Sequence, residues 1–197
     1  MVYKLAHILQ KRLKPLWALV EAANAALFRL RYGARCKKLP AVTAQYPGVS
    51  RVTEQDADAL ARFFASQPKY AFEYFTPHNF DAASLARLAK SPARLMYVIR
   101  EKGEIVGYFF LRCFFIGKSY LGKMVDDHRQ NEGICQQMCC CAMDIATALG
   151  LRMFESISRQ NLASLGATQK VLETRIIEEL DNDVLYIEDI RRKQVCG

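Results

Sequence analysis

Apolar positions recur at three- and four-residue spacing from the start of the chain: Leu5, Ile8, Leu9 and Leu13, then Leu16, Val20, Ala23, Leu27 and Leu30. That period predicts an amphipathic helical extension over residues 1–34. Pro15 must kink or restart it, because proline lacks an amide hydrogen and clashes with the preceding turn. From Tyr32 to Pro47 the period is lost, and Gly33, Pro40 and Pro47 predict a linker over residues 35–47. A folded body is expected over residues 48–190 and a frayed tail over 191–197.

Within the body, residues 49–52 read as a short strand. Thr53, with Asp56 three residues on, predicts a capped helix whose apolar face is Leu60, Phe63 and Phe64. Asp81 caps another helix carrying Leu85 and Leu88. Residues 93–100 and 104–115 form a hairpin about Lys102-Gly103, and residues 120–125 the next strand. A helix over 133–149 is stopped by Gly150. A strand over 152–158, a helix over 161–172 and strands over 175–180 and 184–190 complete the body. Early helices, an antiparallel run and then alternating elements make an α+β or mixed α/β sheet.

With 197 residues, 51% hydrophobic and 24% charged, the chain holds one core and is neither disordered, collagenous nor disulfide-stapled. The net charge of +8 is local. Residues 1–38 carry nine basic side chains against Glu21 alone, and the remainder balances at 19 basic and 19 acidic. A neutral body without a recognition module does not predict nucleic-acid binding. Seven cysteines, three of them consecutive at Cys139, Cys140 and Cys141, are no disulfide framework and predict a reducing, cytoplasmic setting. The only histidines are His7, His78 and His128 and no C-x-x-C occurs, so no metal site is expected. The apolar run at 16–28 is interrupted by Glu21 and Asn24, falls short of the ~20 residues needed to span a bilayer and lacks a signal-type cleavage site.

Chemistry concentrates in Met124-Val125-Asp126-Asp127-His128-Arg129-Gln130-Asn131-Glu132-Gly133-Ile134-Cys135, between a strand and a long helix. A polar turn that opens a helix through glycine leaves unpaired amides, which suit an anion such as pyrophosphate. This block resembles the coenzyme-A loop of the GNAT acetyltransferase superfamily, Gln/Arg-x-x-Gly-x-Gly/Ala, here Gln130-x-x-Gly133-x-Cys135, with Val125 ending the preceding strand. The family's later Asn-x-x-Ser helix start stands at Asn161 and Ser164. The resemblance covers residues 49–190 and implies a mostly antiparallel central sheet flanked by helices.

By the same resemblance, acetyl-CoA is the donor and a primary amine attacks its thioester directly. Backbone near Met124 and Val125 would polarise the carbonyl, and Gln130, Asn131, Glu132, Gly133, Ile134 and Cys135, with Asn161 and Ser164, would bind the cofactor. Three features depart from the pattern. Cys135 replaces a glycine or alanine, and Thr168 stands where a tyrosine general acid is common; Leu172-Glu173 also replaces the usual Gly-Phe.

His78, in the aromatic stretch Phe75-Thr76-Pro77-His78-Asn79-Phe80, is the expected catalytic base or acceptor-orienting residue, with packing of that turn as the rival reading. Asp126, Asp127 and Glu155 are carboxylates to weigh against ion-paired or solvated roles. His128 reads as solvent-exposed. Two of the three consecutive cysteines should face the core, Cys140 lying nearest the polar face. The same aromatic stretch weakly resembles acetyltransferases associated with surface-polysaccharide biosynthesis, which implies an amino-sugar or other small-molecule amine acceptor near the inner membrane. A non-catalytic acyl-CoA-binding or scaffold protein is the alternative. For residues 1–34, peripheral membrane contact and self-association or packing on the body stay open, because each buries the same stripe.

Overall fold

The computed structural model describes residues 14–194. Its elements in chain order are α1 (Lys14–Cys36), α2 (Leu39–Thr43), β1 (Val49–Arg51), α3 (Ala57–Ser66), α4 (Ala82–Ala89), β2 (Arg94–Glu101), β3 (Glu104–Phe114), β4 (Lys118–Val125), α5 (Ile134–Leu149), β5 (Arg152–Ser158), α6 (Leu162–Val171), β6 (Leu172–Leu180) and β7 (Val184–Arg192). The seven strands form one sheet in the order β1-β2-β3-β4-β5-β7-β6. Every neighbouring pair is antiparallel except β4 with β5.

Local chemistry sets these boundaries. Thr53 and Asp56 close a capping box ahead of α3, and the Asp81 carboxylate accepts from the Ser84 amide at 2.8 Å to start α4. Lys102 and Gly103, at φ 50° and 90°, are the two left-handed residues that a two-residue hairpin turn requires between β2 and β3. Gly150, at φ 73°, stops α5.

Alternation along the strands divides the core in two. Tyr97, Phe109 and Leu121 point to one face, beneath Phe28, Tyr32 and Leu39 of the N-terminal helices and Met138, Ala142 and Ile145 of α5. Met96, Tyr108, Phe110 and Met124 point to the other face, packed by Leu60 and Phe64 of α3 and Leu85 of α4.

The N-terminal region departs from expectation. Residues 35–47 are no linker: α1 runs on to Cys36, and α2 buries Leu39 and Thr43 against the body. Proline at the second position of α2 starts a helix rather than breaking one, since its missing amide has no helical partner there. The stripe Leu16, Val20, Leu27 and Leu30 is exposed, and α1 docks through the adjacent face, with Asn24, Phe28 and Tyr32 buried. Both faces have helical spacing, so period alone selects neither. Leu5, Ile8, Leu9 and Leu13 lie outside the described residues. At the other end β7 extends to Arg192, whose guanidinium donates to the Tyr46 hydroxyl at 3.1 Å and to Asp144 at 2.9 Å, so this part of the expected tail is strand.

Candidate active site

The parallel pair β4 and β5 is in register only at Lys118 with Arg152, Ser119 with Met153 and Tyr120 with Phe154. Both strands continue, to Val125 and Ser158, and part as they do so. The gap is the mouth of a cleft of about 650 Å³, walled by Leu121 to Val125, Glu155 to Ser158, the first turn of α6 and the loop before α5. That volume suits a ligand of cofactor size.

One end of the cleft is the start of α5. Asn131 and Gly133 take φ of 66° and 84°, which turns the chain sharply into the helix. No side chain caps Gly133, and a Cβ built there meets nothing within 4 Å. The carbonyl of Gly133 accepts from the Gln137 amide at 3.0 Å, leaving the amides of Ile134, Cys135 and Gln136 ahead of the first helical acceptor and beside the cleft. Such a terminus favours an anion. Asn161 caps α6 opposite, its side-chain oxygen accepting from the Ser164 amide at 3.1 Å. The Asn-x-x-Ser spacing is therefore a helix cap in the cleft wall.

A buried polar cluster lies where the strands separate. Lys123 of β4 and Glu155 of β5 form an ion pair with side chains 4% and 3% exposed. The Thr168 hydroxyl donates to Glu155 at 3.3 Å and lies 3.7 Å from the Cys139 thiol. Asp189 of β7 is 2% exposed, and its two oxygens have no hydrogen-bond partner among the described residues. Burial, with the Glu155 carboxylate beside it, pushes its pKa up to about 9. Burial alone would lower Lys123, but the thiols of Cys139 and Cys135 and the Glu155 carboxylate around it hold it raised. A hydrogen bond from Cys139, with Lys123 close by, lowers the Cys135 thiol, whereas burial raises those of Cys36, Cys113, Cys140 and Cys141.

A roof comes from the segment after α3. The Gln67 amide donates to Asp126 at 2.9 Å and accepts from the Asp127 amide at 2.9 Å, and the Tyr70 hydroxyl donates to Asp127 at 2.5 Å. These bonds hold Tyr70, Tyr74 and Phe75 along the cleft.

Of the residues expected to bind cofactor, Met124, Val125, Gln130, Asn131, Gly133, Ile134, Cys135, Asn161 and Ser164 line the cleft. Glu132 turns away to pair with Arg129 at 2.6 Å, and Arg129 also holds Glu101 at 2.6 Å. His78, the expected base, lies apart from these residues. It is absent from the cleft wall; its Nε2 lies 3.0 Å from the Tyr108 hydroxyl and its Nδ1 2.8 Å from the Asn79 carbonyl, among the rings of Phe64, Phe80 and Phe110. Burial lowers its pKa to about 4, so the imidazole is neutral and both nitrogens are engaged. Cys139 and Cys141 face the core and Cys140 is half-buried. Lys123 and Asp189 went unmarked in the sequence, although each breaks an apolar alternation: Leu121, Lys123, Val125 in β4 and Leu185, Ile187, Asp189 in β7.

No protein-family model matches the sequence, and no curated protein matches it at a significant level. Solved structures do match. The GNAT domain of S. lividans PAT aligns with TM-score 0.62 at 16% identity over 72% of this chain and 89% of that one. A PaiA N-acetyltransferase from Thermoplasma acidophilum, in complex with coenzyme A, aligns with TM-score 0.60 at 12% identity over 72% and 96%. The aminoglycoside acetyltransferase AAC(6')-Ib, in complex with coenzyme A and kanamycin, aligns with TM-score 0.57 at 13% identity over 73% and 94%. The overall architecture is one these proteins share, and the chain has the fold of the GNAT N-acetyltransferases.

Proposed function

We propose that the cleft binds acetyl-CoA and transfers its acetyl group to a primary amine of a small molecule or amino sugar. The observation that carries this reading is the cleft between the parted ends of β4 and β5, ending on the uncapped start of α5 at Gly133. The open space above Gly133 and the amides of Ile134, Cys135 and Gln136 suit the pyrophosphate. Acetyl-CoA supplies an activated thioester, and no covalent intermediate on the protein is needed.

The chain's own residues then have these tasks. Glu155, paired with Lys123 at the cleft floor, is the carboxylate we assign to the amine's proton. The Lys123 ammonium favours the negative charge that develops on the departing sulfur. Thr168 steadies Glu155 through its hydroxyl. Tyr70 and Tyr74 offer ring faces and Glu73 a carboxylate at the mouth, a combination suited to a polyol amine, and aminoglycoside and spermidine acetyltransferases share this fold. In this reading the protein works in the cytoplasm, with its N-terminal segment as the contact to a membrane or to a second copy.

Thr168 also supports a second reading, a non-catalytic acyl-CoA-binding protein, because its buried hydroxyl is already given to Glu155. Calorimetry with acetyl-CoA, followed by thiol detection of coenzyme-A release with glucosamine and a set of small amines, separates the two. Binding with amine-dependent release supports the transferase. Binding without release supports the second reading, and no binding overturns both.

A further inference from the structure

The outward face of α1 carries Leu16, Leu19, Val20, Leu27 and Leu30, exposed by 44, 65, 50, 43 and 84%. At helical spacing these five fall within an arc of about 100°, the width of a stripe that is ordinarily covered. The adjacent side of α1 is already committed to the body. Glu21 pairs with Arg112, and the Asn24 amide donates to the Cys113 carbonyl at 2.9 Å and accepts from the Phe115 amide at 3.1 Å. Arg31 donates to the Phe115 carbonyl at 3.0 Å and Arg35 to the Leu149 carbonyl at 2.6 Å. The helix is thus fixed in orientation with its apolar stripe outward.

We propose that this stripe lies in the surface of an anionic lipid bilayer. Charge selects the occupant. Residues 1–38 hold nine basic side chains and one acidic, while the rest of the chain is balanced. Arg29, Lys37 and Lys38 are exposed on or just beyond the helix. A second copy docked on this face would bring two such basic segments together. Folding residues 1–13 over it would add Lys4, Lys11 and Arg12 with no acid in return. An anionic headgroup layer accepts both the leucines and the cations. Among the described residues no helix is long and apolar enough to cross a membrane, so α1 lies along the surface.

The placement leaves the cleft open. The residues that receive α1 are Cys113, Phe115 and Leu149, at the far end of α5 from Gly133, and a 16-residue helix rising 1.5 Å per residue separates them by about 24 Å. The inference rests on the docking of α1 and not on the transfer reading, so the two fail separately.

The test is co-sedimentation of the full chain with phosphatidylcholine vesicles with and without phosphatidylglycerol, beside light scattering of the protein alone. We expect binding to the anionic vesicles only, weakened by salt, and reduced about tenfold or more by the double substitution Leu19→Glu with Leu30→Glu. Both positions are exposed, and an unchanged circular dichroism spectrum shows that the variant folds. Equal binding to neutral vesicles, unchanged binding by the variant, or no vesicle binding overturns the proposal. A dimer that the variant dissociates, with no vesicle binding, assigns the stripe to self-association instead.

Discussion

Lys123 and Glu155, 32 residues apart in sequence, pair across the parting ends of β4 and β5, just beyond the last ladder pair, Tyr120 with Phe154. Both side chains are almost wholly buried. Removing one partner strands a charge in low dielectric, which costs about 3–5 kcal/mol, whereas replacing both by apolar groups costs far less. Urea denaturation should therefore show Lys123→Met strongly destabilised and Lys123→Met with Glu155→Leu recovering most of the loss. A double variant no better than the single would mean that packing, not the charge pair, supports the junction.

Asp189 puts a second carboxyl beside that pair, and its raised pKa fixes the sign of a pH effect. The unfolded chain releases this proton near the ordinary 3.8 and the folded protein near 9, so unfolding releases a proton throughout that window. The contribution of Asp189 to stability falls as pH rises from about 4 to about 9 and is level above. Asp189→Asn imitates the protonated acid and should be more stable than wild type at pH 8, with a flatter profile across the window. A variant less stable than wild type at every pH would show that Asp189 is ionised and bound.

Asn24 interrupts the apolar run of α1 because it closes the open end of β3. Its side chain satisfies the Cys113 carbonyl and the Phe115 amide from a buried position. Asn24→Ala leaves both groups without that partner and should cost about 1–3 kcal/mol in chemical denaturation, although the segment could be read as a separate extension. Loss below about 0.5 kcal/mol would mean that α1 folds apart from the body.

Much of this architecture was legible because its boundaries are made by local chemistry. The Lys102-Gly103 hairpin, the Asp81 and Asn161 caps and the Gly150 stop each act within a few residues. The loop into α5 was legible for the same reason: Gly133 is needed for a left-handed turn that the sequence states outright. What escaped depends on pairs brought together by the fold. Lys123 and Asp189 gain meaning only when β4, β5 and β7 lie side by side, and α1 displays two faces of similar period, of which packing with Phe28 and Tyr32 chooses one. His78 stayed open between two roles because an aromatic setting suits a base and a packed ring equally, and only its two hydrogen bonds weigh towards packing.

Those bonds separate His78 from Glu155 by experiment. The folded His78 titrates near 4 against 6.5 when free, so the unfolded chain binds a proton that the native one refuses between these values. Stability should therefore decline as pH falls from 6.5 to 4, and His78→Phe should remove that slope while leaving Tyr108 one partner short. In coenzyme-A release with an accepted amine, the same variant should keep the wild-type pH profile from 6 to 9, since a ring that is neutral throughout contributes no limb. Glu155→Gln should lower turnover by about 100-fold or more with little change in the KM for acetyl-CoA, as for loss of a proton acceptor outside the nucleotide grip. If His78→Phe instead abolishes turnover in a folded protein and Glu155→Gln does not, the proton passes through the histidine on the far face of the sheet, and the buried pair at the cleft floor is structural.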